Sequence, residues 1–478
     1  MVSKKRQPAA LLLGLITVCA SAQPKSEQAG IDAETLRHFQ ALVRMDTQSP
    51  PGNEKPAADY LAQVFEREGI FVRTFALEAN RPNVVARLAG NGSKRPLLIM
   101  AHTDVVNVDP SKWQHPPFSA ARDGGHIYGR GTVDDKDMVT AALMTMLRLR
   151  RNLVALDRDV IFLAESGEEG TTSVGIEFMV KNHFDTIDAE YCLAEGGNAT
   201  RVAGDIRYAG VETAEKFPKG IDLIAHGVAG HGSVPLQTNP IARLARAITA
   251  VTEWQPPVVL NGTTRAYFER LAEIEEDPAI ARRYRDLLSS DLQLVAAADA
   301  WLRANIPTQA SMLRTSISPN IVQGGYRNNV IPSEARATLD VRMHPGENPD
   351  AFRAELERVI GDDLVDVVFN GFGERPAGVL SPVDDATFVA IERAIADHYG
   401  APVVPMMSTG ATDMAFLRAK GMRCFGIGPA TDQEDGPLGY GAHSDQERIL
   451  ESELYRFVNF TYDLVVELAG ADGAASAP

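Results

Sequence analysis

With 478 residues, the chain is longer than one hydrophobic core usually serves, so two domains or a domain with a large insertion are expected. Its 45% hydrophobic and 23% charged residues are ordinary for a globular protein. The formal net charge of −16 argues against nucleic acid and anionic membrane surfaces as partners, because both require a basic face.

Lys4, Lys5 and Arg6 precede the apolar run Ala9–Val18, which is too short to span a bilayer, and Ala20–Ala22 supplies the small residues a signal peptidase accepts. A secretory signal over residues 1–22 is expected, and with it a secreted or periplasmic protein. Lipid attachment at Cys19 is the lesser alternative, since Val18 stands where a small residue belongs. The mature chain has no transmembrane segment on this reading, and Cys192 and Cys424, each in a strand-like apolar run, read as buried free thiols.

From residue 31 the pattern is that of an α/β domain, with short apolar runs alternating with helices around a largely parallel sheet. Asn83–Gly90, Pro96–Ala101, Asp159–Ala164, Tyr191–Ala194 and Arg423–Gly428 read as strands. Lys136–Arg151 reads as a helix, rich in Ala, Leu and Met and ending in cations that suit its dipole. The middle differs. Gly220–Gly230 and Ala335–Gly346 alternate apolar and polar residues, as half-exposed antiparallel strands do, with helical stretches between them. The expected division is a first catalytic part over 31–216, an inserted α+β unit over 217–370, a second catalytic part over 371–468 and a disordered, small and polar tail over 469–478.

The chemistry gathers where the strands stop. Pro96–Ala101 is followed by His102 and Asp104, Asp159–Ala164 by Glu168 and Glu169, Tyr191–Ala194 by Glu195, and Arg423–Gly428 by a loop holding His443. Asp134 and Asp135 arrive through the turn that opens the long helix. The C-terminal edge of an open α/β sheet is where ligands bind. Two imidazoles and at least three carboxylates, without cysteine, suit Zn²⁺, with Co²⁺ or Mn²⁺ as substitutes. One zinc needs only three protein ligands, so five candidate positions imply two ions sharing a bridging carboxylate. His38, His115, His126, His183 and His344 read as surface or loop histidines.

In order, "AHTDVV", "HPPF", "GRGTVDDK", "SGEEG", "AEGG", "GHGSVP", "NNVIP" and "GAHSD" resemble the co-catalytic zinc peptidase family of aminoacylases, glutamate carboxypeptidases, succinyl-diaminopimelate desuccinylases and dipeptidases. The resemblance runs from about Ile31 to Glu467. It implies a zinc-peptidase-like catalytic domain, its mixed, largely parallel sheet flanked by helices and interrupted by a lid that often mediates dimerisation. By motif position it assigns His102 and Glu195 to one zinc, Glu169 and His443 to the other, and Asp134 to the bridge. Asp104 would orient His102, Asp135 would lie beyond the bridge in a peptide that is often cis, and Glu168 would be the general base acting on a metal-bridging water. His231 matches an oxyanion-stabilising histidine that often reaches into a partner subunit's site, Asn329 and Arg342 match groups that hold a substrate carboxylate, and Gly410 belongs to a pocket-lining loop.

The resemblance therefore implies a di-zinc metallo-exopeptidase, carboxypeptidase or N-acyl amino acid amidohydrolase. Its substrates would be small peptides or N-acyl amino acids cleaved beside a free carboxylate. A deacylase or esterase using the same site is the nearest alternative, and a non-catalytic small-molecule binding protein is a further one. A serine hydrolase is disfavoured because no G-x-S-x-G elbow occurs. The lid is longer than in smaller family members, with the surplus around Ala266–Asn305, and such an insert could cover the edge through which two lids pair, which leaves both a homodimer and a monomer open.

Overall fold

The computed structural model describes residues 25–471. The expected signal segment, with Cys19, lies outside the described residues, as do residues 472–478 of the expected tail. The start of that tail is ordered: the last helix runs through Ala469, Gly470 bridges Leu156, and the Ala471 N–H reaches the Ala155 carbonyl.

Among the described residues, a ten-stranded mixed sheet forms the larger unit. Its order is Phe71–Ala76, Pro82–Leu88, Val160–Glu165, Leu97–His102, Tyr191–Ala194, Arg423–Gly426, Asp205–Glu215, Asn198–Val202 and Ala430–Asp432, with Val403–Ser408 paired to Asp205–Glu215. The four central strands from Val160–Glu165 to Arg423–Gly426 are mutually parallel. They are buried on both faces, which is why they read as unbroken apolar runs rather than as alternation. Leu97, Ile99 and Ala101 face one core layer, with helix Lys136–Arg151 and helix Glu451–Ala469, while Leu98 and Met100 face the other. Cys192 and Cys424 are opposite one another in register on adjacent strands, both buried and both free thiols.

Helix Lys136–Arg151 is buried along nearly its whole length, so its Ala, Met and Leu residues serve all sides at once. Two charged residues escape the usual cost by being partnered: Lys136 donates to the Met45 carbonyl at 2.8 Å, and Arg148 lies over the Tyr462 ring at 3.6 Å.

The chain leaves the large sheet at Glu215 and enters an antiparallel sheet of five strands, Phe217–Pro218, Ile221–His226, Ser316–Gly324, Glu334–Met343 and Val365–Phe369. In Glu334–Met343 the residues Ala335, Ala337, Leu339, Val341 and Met343 are buried, and the intervening ones are partly or fully exposed. That is the period-2 pattern of a sheet with one solvated face. Helices Pro240–Glu253 and Pro349–Ile360 cover the apolar face. The surplus helical segment packs elsewhere: Tyr267, Phe268 and Leu302 form a separate core with Val404 and Met407 of the large sheet. The outer strand Ser316–Gly324 keeps Ile321 and Val322 exposed.

Candidate metal centre

Strands Val160–Glu165, Leu97–His102 and Tyr191–Ala194 end at a common edge, and the apolar runs stop where the sheet stops. His102 is the last residue of its strand, opposite Glu165, and Glu195 follows Ala194 directly. The turn before helix Lys136–Arg151 brings up Asp134. Gly131 in that turn has φ 85°, and a Cβ there would meet Val105 at 2.8 Å, so the close approach requires glycine. The Asp134–Asp135 peptide is cis. Asp135 Oδ2 accepts from the His102 backbone N–H at 3.1 Å, so Asp135 fastens the strand end and stands apart from the ligand groupings.

The side chains form two groupings that share one residue. His102 Nε2 is 3.1 Å from Asp134 Oδ1 and 3.8 Å from Glu195 Oε1. His443 Nε2 is 3.1 Å from Asp134 Oδ2 and 3.1 Å from Glu169 Oε2. The two oxygens of Asp134 therefore point to different partners, the disposition a bridging carboxylate needs. A tetrahedral ion bonded at 2.0–2.2 Å to such donors separates them by about 3.4 Å, so each grouping has the dimensions of one ion's ligand set. One imidazole and two carboxylates per ion fit Zn²⁺, Co²⁺ or Mn²⁺. A third grouping of His126, Asp432 and Asp435 is already neutralised, with Arg448 forked onto Asp435 at 2.6 Å and Arg201 3.5 Å from Asp432.

The electrostatics follow from packing several carboxylates into one buried pocket. Burial pushes the Asp134 carboxyl up, but hydrogen bonds from His102 and His443 outweigh it and hold the group well below the usual range. Hydrogen bonds to Asp134 first and Glu169 second lift His443 to about 10. Burial and the neighbouring Asp135 charge raise Glu195. Burial, then Asp413, drives Glu168 up to about 8, against the pull of His102 and Arg375. A carboxyl raised in this way must give up its proton before it can bind a cation.

Behind the ligands is a set of fixing contacts. His102 Nδ1 donates to the Asp104 carbonyl at 3.0 Å, with the Asp104 carboxylate at 3.5 Å, so that Nε2 is the nitrogen free to give up its proton to an ion. The Asp104 carboxylate has a larger task, accepting the backbone N–H groups of Gly167, Glu168 and Glu169 at 2.8, 3.2 and 3.2 Å. It holds the two-glutamate loop in place. Arg130, in the "GRG" turn, pairs with buried Glu447 at 2.5 Å and donates to the Ser444 carbonyl, while Glu447 accepts from the Val133 N–H. This clamps the loop carrying Asp134 to the loop carrying His443, a non-glycine residue with φ 61°.

The other candidate residues are dispersed. His231 is exposed and bonds Ser233 Oγ at 2.7 Å, and Asn329 accepts the Gly232 N–H next to it. Arg342 forks onto Asp340 on its own strand, and the Gly410 N–H meets Ser408 Oγ at 3.1 Å. Among the described residues, His231 belongs to none of the candidate metal groupings. Two residues that the sequence did not single out for the metal centre do reach the site. Arg375 donates to Glu168 Oε1 at 3.2 Å and to Asp413 Oδ1 at 3.0 Å, and Asp413 is itself buried. Nothing local distinguishes "GERPAG" from a surface turn, and Asp413 stands three residues beyond Gly410 in the same loop.

A model of peptidase family M20/M25/M40 matches residues 98–467. The N-fatty-acyl-amino acid synthase/hydrolase PM20D1 of Xenopus tropicalis is 28% identical over 328 residues, 66% of this chain and 62% of that protein. The chain thus matches less than two thirds of that relative's length. A probable carboxypeptidase S-like 2 of Dictyostelium discoideum is 29% identical over 387 residues, 78% of this chain and 72% of that protein. In three dimensions, an M20 family metallo-carboxypeptidase, Sso-CP2 of Sulfolobus solfataricus, superposes with a TM-score of 0.68 at 22% identity, covering 90% of this chain and 98% of that one.

Proposed function

The chain belongs to peptidase family M20/M25/M40, and from that premise we propose that it is a two-metal hydrolase. It cleaves the amide bond of small peptides or N-acyl amino acids beside a free carboxylate. The observation that carries the reading is Asp134 standing between two imidazole–carboxylate pairs, with Glu168 buried alongside. His102, Glu195, Asp134, Glu169 and His443 hold the ions, which we take to be zinc from the mixed nitrogen and oxygen donor set. Bound there, two divalent cations would polarise the scissile carbonyl and make water acidic at neutral pH.

The chain's own residues supply the rest. Glu168 takes the proton of the attacking water and returns it to the departing nitrogen, a role suited to a buried carboxyl whose proton affinity lies near neutrality. Arg342 and Asn329 hold the substrate carboxylate, Gly410 lines the pocket, and the inserted sheet acts as the lid that brings them in. His231, exposed and bonded only locally, stabilises the oxyanion in the site of a second copy, and the outer strand Ser316–Gly324 offers an edge for pairing two lids. Export by the signal over residues 1–22 completes the reading.

The test is Glu168→Gln, assayed on dipeptides, N-acyl amino acids and esters with zinc present. The variant is expected to keep two equivalents of metal and to lose nearly all turnover. Normal turnover would remove Glu168 from the base role.

A further inference from the structure

We propose that Arg375 is a positioning residue for this reaction: anchored by Asp413, its guanidinium sets where the Glu168 carboxylate stands. The inference rests on the reading of Glu168 as the base.

Arg375 lies on the segment that returns from the inserted sheet to the large one, between strand Val365–Phe369 and helix Ala386–Tyr399. One arm of its fork donates to Asp413 Oδ1 at 3.0 Å. The other donates to Glu168 twice, at 3.2 Å to Oε1 and at 3.4 Å to the backbone carbonyl. Glu168 is thus held at side chain and main chain together, while its N–H is held by Asp104. The anchor is itself fixed. Asp413 is 1% exposed and opens helix Met414–Arg418.

The result is a row of Asp413, Arg375 and Glu168 that runs from the start of a buried helix to the reacting carboxylate. A planar guanidinium can bridge two carboxylates in fixed directions, whereas an ammonium acts as a point charge and fixes neither direction. Its two terminal nitrogens are engaged, Nη1 by Asp413 and Nη2 by Glu168, so the guanidinium is tied to these two carboxylates. A residue so placed works through Glu168 rather than on the substrate.

The experiment measures kcat, KM and metal content for Arg375→Ala, Arg375→Lys, Asp413→Asn, Glu168→Gln and the double variant Arg375→Ala/Glu168→Gln. Arg375→Ala is expected to lower kcat by about 10²-fold, the size of effect that about 1 Å of misplacement produces, with KM within about threefold and both metals retained. Arg375→Lys should recover only a minor part of the loss. Added guanidinium should raise kcat of Arg375→Ala and leave Glu168→Gln unchanged. The double variant should be no slower than Glu168→Gln, because residues acting as a unit are not additive. A KM effect with normal kcat, or deficits that multiply in the double variant, would overturn the proposal. If Arg375→Ala does not fold, Asp413→Asn and Arg375→Lys, each combined with Glu168→Gln, give the same comparison. A fully active Glu168→Gln would sink the base reading, whereas an inert Glu168→Gln beside a normal Arg375→Ala would sink only the role of Arg375.

Discussion

Replacing Asp104 by Asn separates two jobs that one residue performs at the metal centre. The side chain is fully buried and accepts three backbone N–H groups, two on Oδ1 at 2.8 and 3.2 Å and one on Oδ2 at 3.2 Å. An amide has a single acceptor oxygen. In its better orientation it keeps Gly167 and Glu168 and turns its NH₂ against the Glu169 N–H. An unpaired buried donor costs about 1–3 kcal/mol, and losing the charge on the remaining bonds brings the total to about 2–4 kcal/mol. The two-glutamate loop relieves this by shifting, and a shift near 1 Å at Glu168 corresponds to about 10²-fold in kcat. The bond from His102 Nδ1 to the Asp104 carbonyl survives the substitution, so both metals should remain. Steady-state kinetics and elemental metal analysis on one preparation check both halves. A kcat within about threefold of wild type would refute the loop-holding argument. Loss of one metal equivalent would show that the 3.5 Å carboxylate contact, rather than the carbonyl, fixes His102.

Arg130→Met leaves Glu447 buried without its cation, a change that costs about 3–5 kcal/mol, and it unclamps the loops of Asp134 and His443. Metal retention after gel filtration should fall, and retention of two equivalents would contradict the clamp. Lys216 is fully buried, bonded to Ser311 and Ser316 with no carboxylate, and burial followed by the nearby Arg342 and Arg314 charges lowers it to about 7. Its unfolded value is about 10.4, so between those limits the folded state binds fewer protons and stability rises with pH, by at most about 1.4 kcal/mol per unit. Urea midpoints at neutral and alkaline pH should climb for wild type relative to Lys216→Met, and parallel pH slopes would dismiss the argument.

Much of the catalytic frame was legible because it obeys local rules. Strands buried on both faces announce themselves as apolar runs, and helix Lys136–Arg151 carries its own composition and terminal charges, so its bounds coincide with the expectation. The residues after those strands converge because parallel neighbours must end at one edge, and no long-range information was needed to nominate His102, Glu168, Glu169 or Glu195. The long strand Asp205–Glu215 and the edge strand Val403–Ser408 were missed: the first pairs with partners on both sides and holds buried Glu212, Thr213 and Glu215 where apolar residues are expected. Arg375 and Arg130 were opaque for another reason. An arginine in a glycine or proline turn looks solvated until the fold brings a carboxylate from far along the chain, Glu168 or Glu447, against it. The packing of the surplus helices on Val404 and Met407 depends on tertiary contacts that periodicity does not encode.

The central claim is that Asp134 bridges two ions, one held with His102 and Glu195, the other with Glu169 and His443. Anomalous diffraction from zinc-loaded crystals, recorded on both sides of the zinc edge, tests it most directly. Two peaks about 3.5–4 Å apart are expected, one on each oxygen of Asp134. A single peak, or a pair that leaves Asp134 uncoordinated, would contradict it.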